Sequence, residues 1–317
     1  MQKRKLGNSG LEVAPLCFGG NVFGWTVNES TAFDLLDAFV GGGFNFVDTA
    51  DIYSRWIPGN KGGESETILG KWFKQSGRRK DIVLATKVGF EMAPDKKGLS
   101  KQHIMASVDE SLKRLQTDYI DLYQSHTDDE TVPQEETLAA YQQLIKDGKV
   151  RAIGASNFTS RRLVQAIATA RKHGLPSYQS LQPEYNLYDR QGYEAELEAI
   201  CRENNIGVMN YYALARGFLS GKYRMPSDAG KSPRGEKAVA TYLNPRGYAI
   251  LKVLDELAAK MNSTPAQISL AWLMARPGIT APIASASKLE QLRDMMKAAN
   301  LNLGEEAIKK LDQASKY

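Results

Sequence analysis

The stretch FNFVDTADIY, residues 44–53, begins as an apolar run and ends in an acid followed by a phenol. Strands disfavour aspartate, so Asp48 marks the end of a strand that we predict over residues 44–49. Asp51 and Tyr53 follow within five residues. We interpret Asp51 as a turn residue that helps to place Tyr53, and we ask whether other strands also end in polar groups.

Apolar strands and amphipathic helices alternate along the rest of the chain. Several strands are apolar on both faces, which is typical of parallel strands covered by helices. The predicted strands are 13–19, 44–49, 82–88, 119–126, 150–156, 178–184, 207–214 and 279–285. The predicted helices are 30–42, 64–75, 101–115, 135–147, 160–173, 193–204, 248–260, 264–275 and 305–314, with one more after the eighth strand. The pattern predicts an α/β protein with a single (β/α)₈ barrel domain over residues 1–317, and a doubly wound open sheet is the alternative.

Three segments fall outside this alternation. Residues 3–14 (KRKLGNSGLEVA) carry a turn signal at Asn8-Ser9-Gly10 and predict an N-terminal β-hairpin that caps one mouth of the barrel. Two long loops, 54–64 and 223–246, each follow a strand. They should therefore lie on the C-terminal face, where barrel enzymes carry their sites.

Composition narrows the class of protein. The 317 residues include 41 basic and 36 acidic ones, a net charge of +5 without a basic stripe, so we expect no nucleic-acid partner. No apolar run approaches the roughly 20 residues of a membrane helix. The N-terminus has no signal-peptide pattern, and Cys17 and Cys201 are expected as reduced buried thiols. These features predict a soluble, cytoplasmic protein without a membrane partner.

Polar residues stand at the ends of five consecutive predicted strands. They are Asp48 with Tyr53, Lys87, His126, Ser156 with Asn157, and Gln182. Each one alone is more often structural than functional, but together they suit one chemistry. An ammonium at Lys87 would lower the pKa of the Tyr53 phenol, and Asp48 would hold the ammonium in place. With His126 orienting a carbonyl, the set provides a proton donor for an oxygen that gains negative charge, as hydride reduction of a carbonyl requires.

In order and position, Asp48, Tyr53, Lys87 and His126 resemble the catalytic tetrad of the aldo-keto reductases. Similar motifs cover nearly the whole chain, including GFNFVDTADIY, RAIGASNF and the segment from Gly217 to Tyr223, and the likeness is to a bacterial-type branch related to channel β-subunits. The resemblance implies reduction of aldehydes or ketones by NADP(H), with NAD(H) as the alternative cofactor. Tyr53 would be the general acid, tuned by Lys87 and Asp48, and His126 would position the substrate carbonyl.

The resemblance also implies a set of cofactor contacts. The nicotinamide half would contact Gly20, Asn21, Asp48, Ser156, Asn157 and Gln182. Tyr211 would stack on the nicotinamide ring, although core packing in strand seven is the better interpretation of Tyr211 from sequence alone. Leu214, Arg216, Lys222 and Arg234 would follow the pyrophosphate and 2′-phosphate. Ser287, Lys288 and Gln291 would hold the adenosine end. The chain departs from the family at Tyr212-Ala213, where Ser-Pro is usual, at Ser285, where Gly is usual, and at Met295, where Asn is usual. The last departure suggests that Asp294 contacts adenine.

The substrate, a small carbonyl compound, would meet walls formed by Asn21, Trp25, Trp56 and Phe90. Trp56 could act as a lid or as a buried anchor for its loop. Two alternatives remain open at this point. One is a Schiff-base lyase with Lys87 as nucleophile. The other is a channel β-subunit built on the same scaffold. No predicted strand is followed by the motif G-x-G-x-x-G, which disfavours an open-sheet dehydrogenase. The chain has only three histidines, and His103 and His173 fall on predicted helices or their ends, which disfavours a metal site.

Overall fold

The computed structural model describes residues 1–317 and contains a closed barrel of eight parallel strands. A short antiparallel pair, β1 (Arg4–Lys5) and β2 (Glu12–Val13), precedes it. The barrel strands are β3 (Cys17–Gly19), β4 (Phe46–Asp48), β5 (Val83–Val88), β6 (Ile120–Ser125), β7 (Val150–Ser156), β8 (Ser180–Gln182), β9 (Gly207–Val208) and β10 (Ile283–Ala284). Each pairs with the next, β10 pairs with β3, and a bridge between Val208 and Ile279 closes the ring. The predicted barrel is confirmed, and the open-sheet alternative is wrong.

The helices follow the predicted alternation with two differences. They are α1 (Glu29–Gly41), α2 (Glu64–Ser76), α3 (Lys101–Leu115), α4 (Gln134–Lys146), α5 (Ser160–His173), α6 (Gln191–Glu194), α7 (Leu197–Glu203), α8 (Gly235–Tyr242), α9 (Pro245–Lys260), α10 (Pro265–Ala275), α11 (Leu289–Lys297) and α12 (Gly304–Ala314). Helices α6 and α7 replace the single predicted helix 193–204. The segment 223–246, predicted as one long loop, contains helix α8.

The last two predicted strands are shorter in the structure than in the sequence pattern. Beyond β9 the chain makes one further bridge, from Glu184 to Tyr211, and then turns away because Tyr212 adopts a left-handed backbone with φ of 51°. Before β10, the N–H groups of Thr280 and Ala281 both donate to the Val208 carbonyl. The next residue is Pro282, which has no N–H to continue a regular ladder.

The N-terminal hairpin closes the lower mouth of the barrel, as predicted. Leu6, Leu11 and Val13 pack in one buried cluster with inward-facing strand residues that include Phe46 and Leu122. Arg4 Nη1 donates to the Ile279 carbonyl at 3.1 Å, which ties the hairpin to the barrel floor. The hairpin therefore seals the N-terminal end, and the opposite end stays open to the long loops.

The main core lies between the strands and the surrounding helices. Its largest members are Trp72 and Trp272, whose indole N–H groups donate to Asp37 and Asp312 at the outer edge of the layer. These bonds satisfy the polar end of each buried indole. None of the helices combines the length and the apolar character that crossing a membrane would require.

Candidate active site

The C-terminal ends of β4 and β5 bring Asp48, Lys87 and Tyr53 into direct contact. Lys87 Nζ lies 2.6 Å from Asp48 Oδ2, 2.7 Å from the Tyr53 phenol oxygen and 2.8 Å from the Thr49 carbonyl oxygen. The Tyr53 hydroxyl lies 3.2 Å from the same Asp48 oxygen. The Lys87 ammonium is fully buried and all three of its donors are used. This enclosure leaves no approach for a carbonyl carbon, so it disfavours the Schiff-base alternative.

The proton of Tyr53 is held more tightly than the sequence led us to expect. Burial and the negative charge of Asp48 raise the pKa of the phenol well above 10. Burial lowers the pKa of Lys87, while Asp48 acts in the opposite direction and favours the ammonium. The net shift of the Tyr53 pKa is therefore upward, opposite to the direction that we expected from Lys87 alone. Tyr53 is a neutral phenol at physiological pH, with an ammonium already beside its oxygen.

His126 lies directly after β6 and faces the same space. Its ring centroid is 5.9 Å from that of Tyr53 and 4.3 Å from that of Phe90. Burial and the charge of Lys87 lower the pKa of the imidazole well below 6.5, so the ring is neutral. Its Nδ1 atom is buried and has no hydrogen-bond partner. A neutral imidazole can donate one hydrogen bond, which is the property that positioning a carbonyl oxygen requires.

Asp48 has two further partners, and the sequence did not identify one of them. Gln124 Nε2 and Gln182 Nε2 donate to Asp48 Oδ1 at 3.1 Å and 3.0 Å. Gln124 was missed because it lies inside a strand rather than at its end. The spacing could have identified Gln124, because it lies two residues before His126 and alternate residues of a strand share a face. The amide nitrogen of Gln182, a predicted nicotinamide contact, is bound to Asp48 in this structure.

The ends of β7 and β9 form a second polar cluster beside His126. Asn157 Nδ2 donates to the His126 carbonyl at 2.8 Å, and the Tyr211 hydroxyl donates to Asn157 Oδ1 at 2.9 Å. Ser156 Oγ donates to the Gln182 carbonyl. Tyr211 is only half-buried, so the expectation that it packs in the core is wrong. Its phenol instead helps to fix Asn157, whose backbone is left-handed with φ of 56°.

The basic residues predicted to bind phosphate lie on the loops after β9. Arg216 Nη1 donates to the Tyr212 hydroxyl at 2.8 Å, and the guanidinium of Arg234 lies 4.9 Å above the ring of Trp25. Lys222 is exposed over Tyr223, and Leu214 is half-buried at the start of the turn. Neither arginine forms an ion pair with a carboxylate, so both keep their charge available for an anion.

The residues predicted to hold the adenosine end lie at the start of α11 and directly before it. Ser287 donates through its backbone N–H and its hydroxyl to Gln291 Oε1, and exposed Lys288 precedes α11. Asp294 accepts hydrogen bonds from Thr264 Oγ1 at 2.8 Å and from Gln267 Nε2 at 2.6 Å. The carboxylate of Asp294 is bound to the N-terminus of α10, which disfavours the suggestion that Asp294 contacts adenine.

Four residues were predicted as substrate walls, and three of them are aromatic rings that pack against Tyr53 or its ring neighbours. Trp56 lies 5.6 Å from Trp25 and 6.2 Å from Tyr53 between ring centroids, and it is 48% exposed. Phe90 lies against His126 and is 38% exposed. Trp56 is therefore not a buried anchor. The fourth residue, Asn21, accepts a hydrogen bond from Ser285, and adjacent Gly20 is buried against the Asp48 carbonyl.

The loop that carries Trp56 is held by polar contacts. Asn60 Nδ2 donates to the carbonyls of Gly24 and Ser54, each at 3.0 Å. Ser54 Oγ donates to the Phe23 carbonyl at 2.6 Å. Asn60 and Ser54 thus fix the loop to the segment after β3, which leaves the indole of Trp56 on the open side of the site.

Comparison with known proteins agrees with this architecture. The aldo/keto reductase family matches residues 15–316. A Bacillus subtilis protein named uncharacterized oxidoreductase YrpG is 37% identical, over 98% of this chain and 95% of its own. The Schizosaccharomyces pombe aldo-keto reductase yakc, with NADP(+) in its name, is 32% identical over 98% and 90%. A probable voltage-gated potassium channel subunit beta of Arabidopsis thaliana is 32% identical over 95% and 92%.

The chain belongs to the aldo/keto reductase family, as both the match across nearly its whole length and the closed barrel indicate. It is an NAD(P)H-dependent oxidoreductase of that family. The family membership predicted from the ordered strand ends is confirmed.

Proposed function

We propose that this protein reduces small aldehydes or ketones to alcohols with NADPH, and that Tyr53 is the general acid. The observation that carries the proposal is the contact of the Tyr53 phenol oxygen with Lys87 Nζ at 2.7 Å and Asp48 Oδ2 at 3.2 Å. The rings of Trp56 and His126 lie beside this phenol, and Trp25 and Phe90 pack against those two rings.

The protein would supply a proton and hydrogen bonds to the carbonyl oxygen on which negative charge develops. A carbonyl oxygen placed between Tyr53 and His126 would accept hydrogen bonds from the phenol and from the neutral imidazole. As negative charge grows on that oxygen, the phenol proton moves to it. Lys87, already at hydrogen-bond distance, stabilises the phenolate that remains. Asp48 keeps Lys87 charged and in place, so we assign Asp48 a positioning role.

The remaining polar groups suit a dinucleotide. When bound, the reduced nicotinamide supplies the hydride. Asn157 and Ser156 present amide and hydroxyl groups next to His126, and Tyr211 offers a half-exposed aromatic face beside them. Arg216 and Arg234 provide charge that no carboxylate neutralises. We propose NADPH rather than NADH because these arginines and Lys222 suit a cofactor with the additional phosphate.

The channel relatives suggest a second role, but the site favours catalysis. The chain is 32% identical both to a named reductase and to a named channel subunit, so identity does not separate the two. The packed arrangement of Asp48, Lys87, Tyr53 and His126 has a specific chemical use in carbonyl reduction. Binding of a channel would require none of these contacts. A single-domain protein acting in the cytoplasm on a small carbonyl compound remains our prediction.

Activity can be measured by following NADPH and NADH absorbance with a panel of small aldehydes and ketones. We expect NADPH to be consumed, and Tyr53→Phe to reduce kcat by about 10²- to 10⁴-fold because the proton donor is lost. Quenching of tryptophan fluorescence checks that this variant still binds NADPH. Tyr188→Phe is the matched control, because Tyr188 lies on the same face outside the proposed site. Wild-type turnover by Tyr53→Phe would refute the mechanism.

A further inference from the structure

The turn after β9 contains a tyrosine for which the proposed mechanism has no use. Tyr212, Ala215 and Arg216 all have left-handed backbones, with φ of 51°, 47° and 58°. Such conformations are unfavourable for side chains with a Cβ, and they persist only when surrounding contacts impose them. Here the Tyr212 carbonyl accepts hydrogen bonds from the Ala215 N–H at 2.7 Å and from Asn186 Nδ2 at 3.1 Å. The fold thus holds this turn in a strained form.

The side chain of Tyr212 makes two contacts with the same arginine. Its hydroxyl accepts a hydrogen bond from Arg216 Nη1 at 2.8 Å, and its ring lies 4.0 Å below the Arg216 guanidinium carbon. Two contacts on one guanidinium fix its position and its plane. A serine at this position would be too short to provide both. Tyr212 therefore orders Arg216 before any ligand arrives.

A second guanidinium, that of Arg234, lies 4.9 Å above the ring of Trp25 at the start of α8. Burial lowers the pKa of Arg234, Tyr212 opposes that change, and the charge of Arg216 adds to it. These effects agree with the position of both cations on the loops after β9, where Arg216 itself contacts Tyr212. The charge of Arg216 acts on Glu184, but the two side chains do not form an ion pair, and burial raises the pKa of Glu184. Two neighbouring cations without a carboxylate partner favour an anion between them.

The position of Tyr212 indicates which anion this is. Its ring packs edge-on against Tyr211, with centroids 5.1 Å apart, and Tyr211 is the proposed nicotinamide platform. The pyrophosphate is the anionic group that joins the nicotinamide half of a dinucleotide to its adenosine half. If Tyr211 stacks on the nicotinamide, as the proposed function holds, the pyrophosphate must lie next to Tyr211.

We propose that Tyr212 is a positioning residue that holds Arg216 so that Arg216 and Arg234 bind the pyrophosphate of the nicotinamide cofactor. The proposal rests on the proposed function for the identity of the ligand. Tyr212 contacts Arg216 rather than the reacting atoms, so a substitution of Tyr212 should change the affinity for the cofactor and not the rate of proton transfer.

The test is a double-mutant cycle in cofactor binding, with the Kd for NADPH measured by tryptophan fluorescence quenching. Tyr212→Phe keeps the ring and removes the hydrogen-bond acceptor, so we expect Kd to rise about 3- to 10-fold. In an Arg216→Ala background the same change should alter Kd less than about 2-fold, because Tyr212 acts through Arg216. A purely structural role would give the same factor in both backgrounds and would overturn the proposal.

Tyr188→Phe is the matched control, because the Tyr188 ring also lies beneath a guanidinium, that of Arg246 at 4.5 Å, and its hydroxyl also accepts a hydrogen bond. Its Kd should equal that of the wild type. Far-ultraviolet circular dichroism checks that each variant is folded. An unchanged Kd in Tyr212→Phe overturns this proposal and leaves the reductase intact. A wild type that binds NADPH without reducing any carbonyl overturns the catalytic proposal alone.

Discussion

At the residue scale, the site depends on how one buried carboxylate is satisfied. A buried ion pair costs desolvation that the attraction between its charges only partly offsets. Asp48 accepts hydrogen bonds from Lys87, Tyr53, Gln124 and Gln182, so neither carboxylate oxygen lacks a partner. The pair is therefore rigid as well as charged. This rigidity fixes Lys87 within hydrogen-bond distance of the phenol before substrate arrives.

Asp51, two residues before Tyr53, presents the opposite case. It is 2% exposed, and its Oδ1 atom is buried without a partner. Burial and the charge of Glu66 raise its pKa to about 8, although Arg114, the Ile52 N–H and Lys87 act in the other direction. The charge of Asp51 in turn raises the pKa values of Tyr123 in β6 and Tyr141 in α4. Asp51 is therefore mainly neutral at pH 7.

This neutral acid makes stability depend on pH. Between about pH 4 and the folded pKa of about 8, the native state binds a proton that the unfolded chain releases, so the free energy of unfolding falls as pH rises. We expect Asp51→Asn to become progressively more stable than the wild type across this window, by up to about 1.4 kcal/mol per pH unit, and the difference to level off above pH 8. Urea unfolding from pH 5 to 9 measures it.

The control for this series is Asp118→Asn, at an exposed position, which should follow the wild-type profile. If Asp51→Asn and the wild type gave parallel profiles, the buried carboxyl would not hold a proton in the native state.

At the scale of elements, helix α2 connects the Trp56 loop to the rest of the barrel. It begins at Glu64, directly after that loop, and packs on the C-terminal end of α3. Glu66 in its first turn accepts hydrogen bonds from Thr86 Oγ1 and Arg114 Nε. The close approach of the two helices depends on Gly70, since a Cβ there would lie 2.1 Å from the Arg114 carbonyl oxygen.

We predict that Gly70→Ala destabilises the protein by about 1–3 kcal/mol, because the backbone of α3 must move to make room. Gly41→Ala at the end of α1 is the matched control. It has open space around its Cβ position and should be neutral or slightly stabilising. Urea unfolding of both variants measures the difference. Equal stabilities would mean that α2 and α3 adapt without cost.

At the scale of the whole molecule, the barrel followed from the sequence because eight strand–helix units leave few alternatives. The clustering of Asp48, Tyr53, Lys87 and His126 was also predictable, since each of these residues stands at or shortly after a strand end. The end of strand seven was not, because the left-handed turn at Tyr212 depends on a contact with Asn186 that is distant in sequence. The pKa of Tyr53 was misjudged because burial, which outweighs Lys87, cannot be read from residue types.

The same long-range organisation makes cofactor binding a test of the native barrel. The proposed cofactor residues come from the ends of several strands, so an unfolded chain should not bind. NADPH at 100 times its Kd should stabilise the protein by about 2.7 kcal/mol. We expect a larger increase in Tm with NADPH than with NADH at equal concentration, measured by thermal unfolding. Equal increases would contradict a preference for the phosphorylated cofactor.

The central claim is that Tyr53 delivers the proton while the cofactor delivers the hydride. The most direct test is the single-turnover rate of NADPH oxidation with a saturating aldehyde in stopped flow, because product release often limits steady-state turnover. For Tyr53→Phe with NADPH bound, we predict a rate at least about 100-fold below that of the wild type. A wild-type single-turnover rate in that variant would contradict the assignment of Tyr53.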